Sequence, residues 1–255
     1  MTTMTYGPRS GKPTVNGGIL WEGASLLDGK PIVVIATGLK QSSANDKTGS
    51  MIQTWIIRSD MLPMEAIRSG EDESICGDCS HRGNGDGKQR SCYVKAFQAP
   101  TEIWKAYKKG TYPRLSESDV ERCFTNQAVR LGAYGDPAAV PLELWEKLVR
   151  HSRTWTGYTH QWKKLGPEWA KLLMASADTP SEMEQAHSEG WRTFRVTINQ
   201  PPVDGVEIIC PASEEAGKLT TCADCSLCKG TSSGAKSIVI KAHGAGKKHT
   251  ASFAV

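Results

Sequence analysis

Seven of the eight cysteines fall into two groups whose spacing suits metal ligation. The first is Cys76-Gly77-Asp78-Cys79, followed after twelve residues by Cys92. The second is Cys210 and, eleven residues on, Cys222-Ala223-Asp224-Cys225-Ser226-Leu227-Cys228. Thiolates two residues apart on a turn project into the same small volume and can grip one metal. In the second group, Cys222, Cys225 and Cys228 can hold three corners of an iron–sulfur cube, with Cys210 as the fourth ligand. Sulfur donors in a tetrahedron suit zinc as well as iron–sulfur, so ligand type leaves the element open. The eighth cysteine, Cys123, stands alone at a helical position and reads as a small buried hydrophobe.

A second set of candidate residues follows from where strands are expected to end. From Tyr93 onward, apolar runs of strand length alternate with helical patterns of about ten residues, which implies parallel strands joined by right-handed crossovers. Expected strands are 128–133, 156–160, 173–177, 192–198, 206–210 and 237–241, and 51–58 precedes them. In such folds the functional face lies at the carboxyl ends of the strands. That rule selects Asp136, His160 and Asp178 as catalytic candidates, with Gln161, Thr179 and His243 beside them. Each also has a plainer role available. Asp178-Thr179-Pro180-Ser181 can be a helix cap, and Gly135-Asp136-Pro137 can be a turn.

The implied fold class is α/β, a partial (β/α)6-type barrel carrying cysteine-rich metal-binding loops, with an open doubly wound sheet as the alternative. Residues 1–50 read as an N-terminal arm and a β-hairpin turned at Asp28-Gly29, and 51–255 as the α/β partial-barrel domain with both cysteine groups. The segment 69–91 is long, polar and glycine-rich, and a bound metal would order it.

Bulk properties narrow the class. A chain of 255 residues can bury a full core without staples. Net charge is +4. That is mild, with basic stretches only at 105–109 and 236–248, and such runs are usually solvated surface. Met1–Arg9 has no apolar run, and no stretch approaches the roughly 20 apolar residues of a membrane helix. The expectation is a soluble, cytoplasmic protein without membrane contact, whose thiols stay reduced and free for metal. No His-Glu-x-x-His or Gly-x-Ser-x-Gly occurs, which weighs against the commonest zinc proteases and serine hydrolases.

The cysteine loop after the first barrel strand, the strand end Arg130-Leu-Gly-Ala-Tyr-Gly-Asp-Pro137 and the final Ile238-Val-Ile-Lys-Ala-His-Gly244 together resemble the radical-SAM superfamily. The likeness is closer to its uncharacterised phage-encoded members and spans roughly 51–244 in order and character. It implies an iron–sulfur cluster on Cys76, Cys79 and Cys92 that binds S-adenosyl-L-methionine (SAM) at an open iron. It implies an auxiliary cluster on the second group and, for a phage protein, residence in the host cytoplasm. The superfamily signature spaces three cysteines at gaps of three and two, whereas here the gaps are two and twelve.

Two functions therefore fit. One is an enzyme doing radical chemistry on an unidentified substrate, with Asp136, His160 and Asp178 contacting SAM or substrate. The other is a zinc-stabilised binding protein on a degenerate version of the fold, contacting nucleic acid or a host protein. Under that second function His81 would complete a zinc tetrahedron with the first three cysteines.

Overall fold

The computed structural model describes residues 15–42, 45–83, 85, 89–244 and 247–252. The expected N-terminal arm and part of the 83–87 glycine run lie outside them. The chain begins with the antiparallel hairpin β1 (Gly17–Ala24) and β2 (Pro31–Thr37). Its turn is set by Gly29 at φ 78° and by the Lys30 amide donating to Asp28 Oδ1 at 3.0 Å. Residues 32–36 of β2 are fully buried, so this strand needs cover on both faces. It obtains a neighbour by pairing antiparallel with β3 (Ile52–Arg58), which makes the hairpin one edge of the main sheet.

After β3 come the helix α1 (Pro63–Ser69) and the single turn α2 (Glu73–Cys76), then the cysteine loop, α3 (Ala99–Lys108) and α4 (Glu117–Phe124). Ser116 starts α4, its hydroxyl accepting from the Asp119 amide while the Asp119 carboxylate accepts from the Ser116 amide. Then follow β4 (Ala128–Tyr134), α5 (Leu142–His151), β5 (Thr154–Thr159), α6 (Pro167–Ala170), β6 (Met174–Ala177), α7 (Pro180–Ser188), β7 (Thr193–Thr197), β8 (Glu207–Ile209), α8 (Cys222–Cys225) and β9 (Ser237–Lys241). The helix/strand alternation expected from the sequence is present, with element ends displaced by at most two residues.

All nine strands join one sheet in the order β1-β2-β3-β4-β5-β6-β7-β9-β8. Only the hairpin side is antiparallel; every pairing from β3 to β8 is parallel. The sheet is open, with β1 and β8 at its edges, and is not a closed barrel. Strand order follows chain order from β1 to β7, and β9 then inserts between β7 and β8.

Two apolar layers flank the parallel strands. On one side Val129, Leu131, Leu173 and Ala175 pack into a large core with Phe124, Trp145, Leu148 and Ala186 from the helices. On the other, Met174, Ile238 and Ile240 pack with Tyr158, Phe194 and Val196 beneath Cys210 and Cys228. The change of side follows the two-residue period of a strand. Cys123 is buried in the first layer, as a hydrophobe at its position would be.

The parallel edge is pinned by charge. Arg195 on β7 donates from Nε and Nη2 to both carboxylate oxygens of Glu207 on β8, at 2.9 and 2.6 Å. Their side chains are 1% and 0% exposed. β9 lies between the two strands, so the pair spans it and sets where β8 ends up. Removing one partner of such a pair leaves a bare charge in the interior. Arg195→Met is expected to lower unfolding free energy by about 3–5 kcal/mol in urea denaturation. The double variant Arg195→Met/Glu207→Met should recover most of the loss. A single variant as stable as the parent would show that the pair is unimportant.

Candidate functional site

A cavity of about 220 Å³ opens at the carboxyl ends of the parallel strands. Its wall is built by strand alternation. Thr156, Tyr158 and His160 face it from β5 and its end, Ser176 and Asp178 from β6, Phe194 and Val196 from β7, and Ile240 and Ala242 from β9. Cys76 at the end of α2 lines it together with Cys79 and Cys92 from the loop that follows, and Cys222 lines it from the second group. Asp136, His160, Asp178 and His243, chosen from strand ends, all border this one space.

The loop that carries the first cysteines is held by a buried carboxylate. Asp72, 2% exposed, accepts from Arg82 on Oδ1 at 2.9 Å and from Arg90 on Oδ2 at 2.9 Å. The Arg82 guanidinium also donates to the carbonyls of Gly77 and Gly70, both at 2.6 Å. The Cys92 amide donates to the His81 carbonyl at 3.1 Å. These bonds fold the loop back and return Cys92 to Cys76 and Cys79. Gly77 has φ 57°, and a Cβ there would stand 2.5 Å from the Gln161 amide group. The buried Gln161 Nε2 uses that approach to donate to the Cys76 carbonyl at 3.2 Å.

Burial, with Asp72 and the other two thiols, holds the Cys76 thiol well above its ordinary pKa. Burial raises Cys92 as well, against an opposing pull from Arg90. Tyr134 is pushed well up by burial and by Cys76, and its hydroxyl is sealed in with no hydrogen-bond partner. An orphaned phenol beside three thiols suits a bound group carrying sulfur acceptors. Zinc would hold its thiolates about 3.8 Å apart, given Zn–S bonds of about 2.3 Å in a tetrahedron. Among the described residues, the one group of three or more His, Cys, Asp or Glu donors lying within 4.8 Å of one another contains no cysteine. The three sulfurs of the first set thus do not all lie within 4.8 Å of one another, and all three cysteines border the cavity.

The second group also converges. Cys210, Cys222, Cys225 and Cys228 line a small cavity of about 20 Å³ under the sheet's apolar inner face. Among the described residues, no three of these sulfurs lie within 4.8 Å of one another. None of the cysteines is in a disulfide. The segment is tied to β5 by the Gly157 amide donating to the Cys228 carbonyl at 3.1 Å, and to the connection before β3 by the Cys222 amide donating to the Lys47 carbonyl at 2.8 Å. Burial pushes the Cys228 thiol up to about 12.

The three catalytic candidates divide by role. Asp136 caps the turn 137–139 by accepting from the Ala138 amide at 3.0 Å, and it accepts from the His160 amide at 2.8 Å. Burial raises its pKa despite those bonds. Its part is to set the backbone of His160. The turn it sits in requires Gly135, at φ 84°, where a Cβ would meet Ile56 at 2.7 Å. Asp178 is not the helix cap. Thr179 takes that place, accepting from the Glu182 amide at 3.1 Å, and leaves the Asp178 carboxylate free to face the cavity. There Oδ2 accepts from the Ser80 hydroxyl and Oδ1 lies 3.1 Å from His81 Nε2 and 3.7 Å from His160 Nε2. Burial alone would raise Asp178, but His160 and His81 outweigh it and the carboxyl is held far below its usual range. For His160, burial opposes the charged form, yet Cys79 and Asp178 together raise its pKa well above the ordinary value.

His81 is thus a correction to the sequence expectation. Its Nδ1 lies 2.7 Å from Ser91 Oγ and its Nε2 faces Asp178, so it joins the carboxylate rather than the thiols. Asp72, Arg82 and Arg90 went unnoticed in the sequence, and Arg130 and Tyr134 were read only as members of a strand end. Arg130 faces the cavity from mid-strand, with Nη2 donating to the Tyr93 hydroxyl and Nε buried without a partner. A charged residue inside an otherwise apolar strand was the available signal. Comparison with protein-family models, curated proteins and solved structures finds no match for the chain. Among the described residues, no helix is long and apolar enough to cross a membrane.

The raised thiols carry a test of metal loading. Cys76, Cys92, Cys222, Cys225 and Cys228 all lie above their ordinary value, so each keeps its proton at neutral pH in the metal-free chain. Metal must displace those protons. Loading is expected to release about one proton per thiol and to weaken as pH falls, read by an indicator dye in weak buffer. Loading that is independent of pH would mean that these thiols are not the ligands.

Proposed function

We propose that the chain is a cysteine-ligated metalloenzyme of radical-SAM-like character, built as a partial (β/α)6 barrel. The carrying observation is that Cys76, Cys79 and Cys92 converge at the mouth of a cavity lined by the inner faces of successive parallel strands. Six parallel strands in unreversed spatial sequence, β3 through β7 and then β9, support the barrel assignment. Cys76, Cys79 and Cys92 would hold an iron–sulfur cluster, and three protein ligands leave one iron for SAM. Such a cluster, when bound, supplies the low-potential electron that cleaves SAM reductively and yields a hydrogen-abstracting radical.

The chain's own residues supply the setting. Arg90 places positive charge next to the thiolates, and Tyr134 offers a buried O–H to a sulfur acceptor, a contact of the kind that tunes cluster potential. Tyr158, Phe194, Val196 and Ile240 make the inner wall apolar, which limits water at the reacting centre. Arg130, Lys47 and His243 give that wall donors for an acidic or polar substrate. Cys210, Cys222, Cys225 and Cys228 form a closed four-thiolate site whose part is structural, sealing the cavity from below.

Anaerobic purification and reconstitution with iron and sulfide test this function. The expected product is brown, and its reduced electron paramagnetic resonance spectrum shifts on adding SAM. Cys76→Ser should abolish the SAM-responsive signal. Cys225→Ser should instead cost metal stoichiometry and protease resistance of segment 210–228, since structural thiolate sites stabilise by on the order of 10 kcal/mol. Colourless, zinc-loaded protein that ignores SAM would overturn the enzyme and favour a zinc-stabilised protein that binds nucleic acid or a protein partner.

A further inference from the structure

The cavity wall holds a set of donors that neither cysteine group uses. His81, His160 and Asp178 each present one ligand atom, and the three atoms lie within 4.8 Å of one another. They come from three separate places: the turn after Cys79, the end of β5 and the end of β6. Two imidazoles and one carboxylate oxygen on one side of a space are the donor set of mononuclear first-row metal sites with open positions. We infer that His81, His160 and Asp178 form a site for one first-row divalent cation, with its remaining coordination positions turned to the cavity.

Three observations carry this beyond mere proximity. The first is an orphan. His160 Nε2 is sealed from solvent with no hydrogen-bond partner, and it stands 3.7 Å from the very carboxylate oxygen that His81 approaches to 3.1 Å. Hydrogen bonding explains one imidazole on that oxygen, and the longer contact lies outside hydrogen-bond range. A cation among the three atoms gives the His160 nitrogen the partner it lacks.

The second observation is the outer shell. Metal-bound histidines and carboxylates generally have their other polar atom fixed by a further hydrogen bond. His81 Nδ1 is set by Ser91 Oγ at 2.7 Å, which leaves Nε2 to face inward. Asp178 Oδ2 is set by the Ser80 hydroxyl, which leaves Oδ1. The His160 backbone is fixed by Asp136. His81 and Asp178 are thus aimed by a second hydrogen bond, and His160 is placed through its backbone. The third is exposure: the His81 and Asp178 side chains are 13% and 10% exposed, so a bound cation is reached through the cavity and not from open solvent.

The site stands beside the first cysteine set but differs in donor softness. Nitrogen and oxygen donors take cobalt, manganese, iron(II) or zinc, while thiolates retain their own metal. A cation here would bind an oxygen atom of a cavity ligand, either a carboxylate, a carbonyl or a water, and hold it against the inner wall.

Cobalt(II) distinguishes the two kinds of site, because thiolate ligation adds an intense near-ultraviolet charge-transfer band and nitrogen and oxygen ligation does not. The full chain, with its cysteine sets already loaded, is titrated with cobalt(II) under equilibrium dialysis and absorption spectroscopy. The expected result is one further equivalent with weak visible bands only. Asp178→Asn and His81→Gln should each weaken it by at least about tenfold while leaving metal in the cysteine sets unchanged. No further equivalent, a new thiolate band with it, or full binding in both variants would overturn the site. If a variant fails to fold, the parent protein's stoichiometry and spectrum still decide. Zinc in the cysteine sets would defeat the proposed function without touching this readout.

Discussion

Asp72 is the hinge of the arrangement around the cavity. It is a carboxylate removed from water and clamped by two guanidinium groups, Arg82 and Arg90, that come from later in the same loop. A long polar loop has little apolar surface with which to order itself. Here charge supplies what burial does not, and Arg82 extends the clamp to two backbone carbonyls. Breaking such a cluster by losing one member strands a buried charge. Convergence of Cys92 with Cys76 and Cys79, and the placing of Ser80 and His81 against Asp178, both depend on it.

A division of labour follows. The sheet fixes direction, because parallel strands of period two send alternate side chains to one face and end on one side. The loops fix distance, because the Asp72 clamp, the Gly135 turn and the Thr179 cap bring side chains from far apart in the chain within bonding range. Rigid strands with donors at their ends and loops locked by buried charge form a site that is organised in advance of its ligand.

What the sequence made legible was whatever repeats at short range. The alternation of strands and helices after Tyr93 and the hairpin at Asp28-Gly29 could be read because their signals are local patterns. So could the two cysteine groups, and so could Asp136, His160 and Asp178, since each sits where a strand stops. The functions within that trio could not be read, because Asp136 and Asp178 occur in similar strand–turn–Pro contexts. Only three-dimensional partners separate the backbone cap from the carboxylate that faces the cavity. His81 was assigned to the nearest thiols by sequence distance, whereas its partner Asp178 lies 97 residues away. Asp72 looked like one charge among many in a polar loop, and nothing local announces that it is buried.

The placing of β9 between β7 and β8 bears on the order in which the chain can be completed. β8 and the whole second cysteine segment precede β9 in the chain, yet β8 is paired only through β9. Until residues 237–241 are available, β7 is an open edge and the thiols of 210–228 have no roof of Ile238 and Ile240 to pack against. Insertion of one five-residue strand therefore closes three things together: the exposed edge, the buried Arg195–Glu207 pair that spans it, and the small cavity lined by Cys210, Cys222, Cys225 and Cys228. Before that event all four thiols lack this apolar cover; after it, Cys210 and Cys228 are buried while Cys222 and Cys225 keep part of their surface exposed.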